Sequence, residues 1–152
     1  MSDSSPWQYP APFVVSWKIQ EQDIDHYQHV NNVAYLSQQE NVAWQHSQSL
    51  GLSFEDYKAL DRAMVIVRHE LDYVKPAFRE DELLCATWIV ACDGRLQLTR
   101  EFQYIRANTG ETLYRGKTRF ICVKLSSGQP ARMPRPFVEV YQGAVIPATQ
   151  GQ

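Results

Sequence analysis

The chain has 152 residues, the size of one ordinary domain and enough to bury a real core. A hydrophobic share of 44% with 21% charged residues is that of a soluble globular fold, and no apolar run is long enough for membrane insertion. A net charge of -2 without a basic bias argues against nucleic acid as a partner.

Residues 1–12 carry no basic start, apolar stretch or small-residue cleavage site, and their Ser and Pro content suggests a flexible lead-in. The absence of a secretory signal and the odd cysteine count (Cys85, Cys92 and Cys122, all in strand-like apolar contexts) read as buried free thiols in a cytoplasmic protein. From Phe13 to Gln20 the pattern alternates, with Phe13, Val15, Trp17 and Ile19 on one face of a strand. A polar stretch, 21–32, leads into a helix on which Val33, Leu36, Glu40, Ala43, Trp44, Ser47 and Leu50 share the face expected to meet the rest of the fold. Asn31 or Asn32 can cap its start, and Gly51 can stop it. A short second helix is expected from Ser53 to Leu60.

The remainder reads as strands. Ala63 to Val74 places Val65, Val67, His69, Leu71 and Tyr73 on one face. Leu83 to Cys92 is apolar on both faces, as a central strand is. Asp93-Gly94 signals a tight hairpin before Leu96–Arg106, and a turn at Asn108–Gly110 precedes Thr112–Lys124. The order strand, long helix, four antiparallel strands implies an α+β fold with the sheet wrapped around the helix.

Chemistry concentrates in 23–35, where two Asp, two His and two Asn feed a helix N-terminus. Such a terminus offers unpaired N–H groups and the positive end of the helix dipole, which suit a carbonyl or an oxyanion, and a carboxylate beside it can act as nucleophile or general base. The same residues are also ordinary turn formers and caps.

This segment resembles the signature of the hotdog-fold acyl thioesterases of the 4-hydroxybenzoyl-CoA thioesterase type. Asp23-x-Asp25, His29-Val30-Asn31-Asn32 and Tyr35 are similar to the pattern of bacterial long-chain acyl-CoA thioesterases, and Gln28-His29-Val30-Asn31-Asn32 to that of plant acyl-carrier-protein thioesterases. The element order agrees with a hotdog domain over 13–141, with 142–152 as a C-terminal tail. The resemblance implies hydrolysis of an acyl-CoA or acyl-ACP thioester with Asp25, ten residues before Tyr35, as the catalytic carboxylate. It gives His29 an orienting or proton-transfer role and puts the backbone N–H groups of Asn32 and Val33 against the thioester oxygen. Where the plant pattern has an Asn two residues after the Asp, this chain has Tyr27, so a full Asp-Asn-His set does not carry over.

Tyr35, Glu40, His69 and Arg115 are the candidate substrate-contacting residues. Glu40 on a sheet-facing position needs a partner or a polar cavity, and a related hotdog branch uses a helix carboxylate, which makes it the second candidate base. His69 on an apolar strand face also reads as a satisfied core histidine. Arg115, with Lys117 and Arg119, could hold phosphates or simply form a solvated face. No metal or other cofactor is called for, since no cluster has metal-ligand spacing. The resemblance further implies a homodimer at least, with a homotetramer common. A non-catalytic acyl-CoA-binding domain and a hotdog hydratase or dehydratase are the alternatives.

Overall fold

The computed structural model describes residues 5–147. Its elements are β1 (Phe13–Lys18), a 3-10 turn (Glu21–Asp23), α1 (Asn32–Ser49), α2 (Phe54–Leu60), β2 (Ala63–Tyr73), β3 (Glu82–Cys92), β4 (Gln97–Arg106), β5 (Thr112–Val123), and a C-terminal α3 (Arg135–Phe137) that continues as a π-helical turn, Val138–Gln142. The strands form one antiparallel sheet in the order β1-β3-β4-β5-β2. The sheet curls around α1, the α+β hotdog layout implied by the sequence. Among the described residues no helix is long and apolar enough to cross a membrane.

β3 and β4 lie inside the sheet, and β3 is buried on both faces, as its continuous apolar run requires. The first cluster of core residues packs α1 (Tyr35, Val42) against Leu83, Cys85, Phe102, Tyr104, Leu113 and Tyr114. A second cluster joins α2 and the C-terminal turn to the other end of the sheet through Tyr57, Leu98, Cys122, Phe137 and Tyr141.

Several expectations are refined. The sheet-facing residues of α1 are Tyr35, Gln39, Val42 and Ser47, whereas Val33 is 71% exposed and Glu40 is exposed. The predicted stripe holds in Ser47, which is buried, and in Leu36, Ala43, Trp44 and Leu50, which are half-buried; it leaves out Tyr35, Gln39 and Val42, the second because the helix buries a polar amide that bonds to the sheet. Gln39 donates to Thr118 Oγ1 at 2.9 Å and accepts from Tyr114 at 2.7 Å. Gly116 in β5 makes room for this amide, since a Cβ there would stand 2.5 Å from Gln39 Oε1.

In β2 a bulge at Val67, between the pairs Ile66–Phe120 and Arg68–Arg119, flips the alternation. Ile66 therefore shares the inner face with His69, while Val65 and Val67 leave the face that simple alternation gave them. The Asp93-Gly94 signal produces a wider loop, Asp93–Leu96, in which the Asp93 carboxylate accepts the N–H groups of Arg95, Leu96 and Gln97. Cys85 and Cys122 are buried free thiols, but Cys92 is only half-buried.

The described part of the lead-in, expected to be loose, lies across the outer sheet face. Trp7 and Tyr9 pack edge-on to Trp88, whose Nε1 donates to the Pro10 carbonyl. Its aromatics cover an indole that would otherwise meet water. Residues 1–4 and 148–152, which complete the lead-in and the expected tail, lie outside the described residues.

Candidate active site

Two regions gather the functional side chains. The first is the loop that delivers the chain to α1. Asp23 closes the 3-10 turn by accepting the Gln20 N–H at 2.8 Å, and its carbonyl accepts the Asn31 N–H at 2.7 Å, so it ties the turn to the start of α1. Between them Ile24 and Val30 pair as an antiparallel bridge and pinch residues 25–29 into a tight excursion. Within it Asp25 N–H donates to the His29 carbonyl, and Gln28 takes a left-handed conformation (φ 66°) that closes the turn.

Asp25 is half-buried. Its Oδ1 accepts the Tyr27 N–H at 2.9 Å, which holds the carboxylate in place, and Oδ2 has no hydrogen-bond partner among the described residues. His29 is exposed, with its ring edge-on to Phe78 at 5.4 Å. The segment between β2 and β3 supports this loop: Val30 N–H donates to the Ala77 carbonyl, Ala77 N–H donates to Tyr35 Oη, and Arg106 anchors the same segment through Asp81 and the Pro76 carbonyl.

Asn31 is the cap of α1. Its side chain accepts the Val33 N–H at 2.8 Å and its carbonyl accepts that of Ala34. Of the two amides expected to face a thioester oxygen, Val33's is thus occupied, while Asn32's has no protein acceptor among the described residues. Tyr73 fixes the helix start by donating to the Asn32 carbonyl at 3.3 Å.

The second region is a cavity of about 450 Å³ between α1 and the inner face of β2, β4 and β5. This is the usual size of a small-molecule site. Leu36, Ala43, Leu98, Phe102 and Phe120 supply much of its apolar wall. Glu40 and His69 also line it. His69 Nδ1 meets Thr118 Oγ1 at 2.8 Å, which joins it to the Gln39–Tyr114 chain. Burial lowers the His69 pKa, and the Glu40 carboxylate pulls it back up.

At the other end Arg100 is buried, bonded to His46 Nδ1 at 2.7 Å and Ser47 Oγ at 2.9 Å. Ser47 continues to Tyr141 and Tyr57. Burial and then Arg100 lower the His46 pKa to about 4, so the imidazole is neutral and accepts from the guanidinium. Among the described residues no group of His, Cys, Asp and Glu is arranged to hold a metal ion.

The structure therefore places Asp25 and His29 in the loop that precedes α1, Asn32 and Val33 in its first turn, and Glu40 and His69 together in the cavity. Tyr35 does not line the cavity: it is buried, stacked on Tyr114 at 5.1 Å. Arg115 sits on the outer, exposed face of β5, bonded to Gln8 at 3.0 Å. Sequence reasoning missed Arg100, His46, Tyr57 and Tyr141. The signal was present for Arg100, which interrupts the inward series Leu98, Phe102, Tyr104 on β4.

A family profile described as the Thioesterase-like superfamily matches residues 19–141, from the end of β1 to the last buried tyrosine. The chain belongs to this superfamily. Solved structures share the fold at low identity. A 1,4-dihydroxy-2-naphthoyl-CoA thioesterase from Synechocystis is 20% identical with a TM-score of 0.77, over 87% of this chain and 96% of that one. The Staphylococcus aureus protein SAV2348, solved in complex with CoA, is 15% identical with a TM-score of 0.80, over 93% and 90%. A 12:0-ACP thioesterase from Umbellularia californica is 17% identical with a TM-score of 0.79, over 90% of this chain and 51% of that one. No curated protein matches this chain in sequence.

Proposed function

We propose that the protein is an acyl-CoA thioesterase in which Asp25 promotes hydrolysis and the start of α1 polarises the thioester carbonyl. The observation that carries this reading is the pairing, at one helix start, of a held carboxylate with one free oxygen and a backbone N–H without a protein acceptor. The Asn32 N–H, reinforced by the helix dipole, would stabilise the oxyanion as the carbonyl carbon becomes tetrahedral. Asp25 either attacks that carbon, forming an anhydride that water then cleaves, or takes a proton from the attacking water. In both routes the C–S bond breaks, the thiolate leaves and takes up a proton, and the products are a free acid and coenzyme A.

The working unit of this reading is a dimer, with the homotetramer implied by the family resemblance as the larger assembly. β2 is an 11-residue edge strand that leaves Val65, Ile66 and Val67 exposed, and an unprotected apolar edge of that length favours pairing with a second copy. Pairing there would set a partner's surface beside the cavity mouth, since Val65 and Ile66 also line the cavity. A second reading has its own observation: Glu40 lines the cavity, whereas Asp25 does not. In that version Glu40 is the base.

Thiol release from short, long and aromatic acyl-CoAs tests the proposal. The expected result is equimolar thiol and free acid from at least one member. Tight acyl-CoA binding without thiol release on any member would replace the enzyme with a binding domain.

A further inference from the structure

The inner end of the cavity holds a positive charge that no acidic side chain balances. Arg100 is 2% exposed and stands on β4, opposite Ile89 and Thr118, beneath the last turns of α1. A guanidinium stays protonated in proteins, and a buried one ordinarily has a carboxylate partner. Here the two groups that hold it are neutral, His46 Nδ1 and Ser47 Oγ. Among the described residues Arg100 makes no ion pair, and the titratable groups acting on it are the phenols of Tyr141 and Tyr57. Burial raises the Tyr57 pKa far above its ordinary value, so that phenol carries no countercharge. The C-terminal end of α1 offsets part of the charge, about half a unit at most. The carboxylate on the cavity wall, Glu40, interacts with His69, and among the described residues no hydrogen bond or ion pair joins it to Arg100.

Hydrogen-bond counting points the same way. Ser47, Tyr141 and Tyr57 form a chain of hydroxyls with two links, 2.9 Å and 2.5 Å. Each hydroxyl brings one hydrogen, so whichever way the chain runs, one hydroxyl hydrogen is left without an acceptor in it. All these residues except His46 line the cavity. A cavity with apolar walls thus ends in surplus donors and an unbalanced cation.

We propose that this end of the cavity receives an anionic terminus of the acyl group, so that the preferred substrates are thioesters of acyl groups ending in a carboxylate remote from the thioester. The carboxylate would accept from Arg100 and from the free hydroxyl of the Ser47–Tyr141–Tyr57 chain, while the methylenes between lie along Leu36, Ala43, Leu98 and Phe102. This inference rests on the acyl-CoA reading above and specifies its substrate.

The test compares ω-carboxyacyl-CoAs of increasing length (adipyl, sebacyl, dodecanedioyl, hexadecanedioyl), a series that reaches the roughly 20 Å between the start of α1 and Ser47, with methyl-ended acyl-CoAs of the same carbon number. At one length the wild type should favour the carboxylate-ended member by about tenfold or more in kcat/KM, as sites built to bond a polar group do. In Arg100→Met the ratio should collapse to one or below. If Arg100→Met does not fold, Arg100→Gln, which keeps side-chain donors toward His46 and Ser47 but removes the charge, should bring the ratio close to one. Preference for methyl-ended chains at every length, or a carboxylate preference undiminished in Arg100→Met or, where that does not fold, in Arg100→Gln, overturns the proposal and leaves the thioesterase reading standing. If no acyl-CoA is hydrolysed, that reading fails, and calorimetric binding of the same pairs decides this one: tighter binding of the carboxylate-ended member supports it, and equal or weaker binding rejects it.

Discussion

The loop before α1 and the cavity beneath its second half are built in opposite ways. The loop is exposed and held mainly by main-chain hydrogen bonds: Asp25 to His29, Val30 to Ala77, Asn31 to Asp23, and the Asn31 cap on Val33. The cavity opens beside β2, but its inner wall is held by buried side chains: Gln39 with Thr118 and Tyr114, and Arg100 with His46 and Ser47. A site made of backbone tolerates side-chain changes and fails when an N–H is lost. A site made of buried polar side chains fails when any partner is removed, because the remainder is left desolvated and unpaired.

The sharpest way to break this contrast is to delete a backbone donor without disturbing the helix. Asn32→Pro does so, since the first helical position accepts proline and Asn31 already has a compatible conformation (φ -63°, ψ 138°). We expect turnover to fall by about a hundredfold or more, the usual cost of losing an oxyanion donor, with little change in melting temperature. On the cavity side, Gly116→Ala pushes a methyl into Gln39 Oε1 and should cost about 1–3 kcal/mol in denaturant unfolding. Asn31→Ala removes the cap and should cost about 1 kcal/mol by the same measurement.

A further effect is graded with pH. His46 binds its proton near pH 4 in the folded chain but near 6.5 when unfolded, so between these values the unfolded chain holds more protons. Its contribution is complete above about 6.5 and is lost as pH falls toward 4. The melting temperature of His46→Gln should therefore decline less than that of the wild type over that interval.

The same contrast explains what the sequence could convey. The loop was legible because its chemistry is consecutive: Gln28-His29-Val30-Asn31-Asn32 and the two Asp residues lie within ten positions. The strands and α1 were legible for a related reason, since alternation and capping are local. The cavity is assembled from α1, α2, three strands and the C-terminal turn, so no short window contains it. Local alternation also misled where tertiary structure overrode it. The Val67 bulge inverted one half of β2, and the buried amide of Gln39, which lies outside the apolar stripe, shifted the sheet-facing side of α1 from the one that stripe suggested. Arg100 could have been noticed as a cation on an apolar strand face, but its neutral surroundings could not.

The most direct test of the account is thiol release by Asp25→Asn and Glu40→Gln beside the wild type, each first shown to be folded. Asp25→Asn should lose about a thousandfold in kcat while Glu40→Gln changes it by less than about tenfold. The reverse order would contradict the account and move the reaction from the helix start into the cavity.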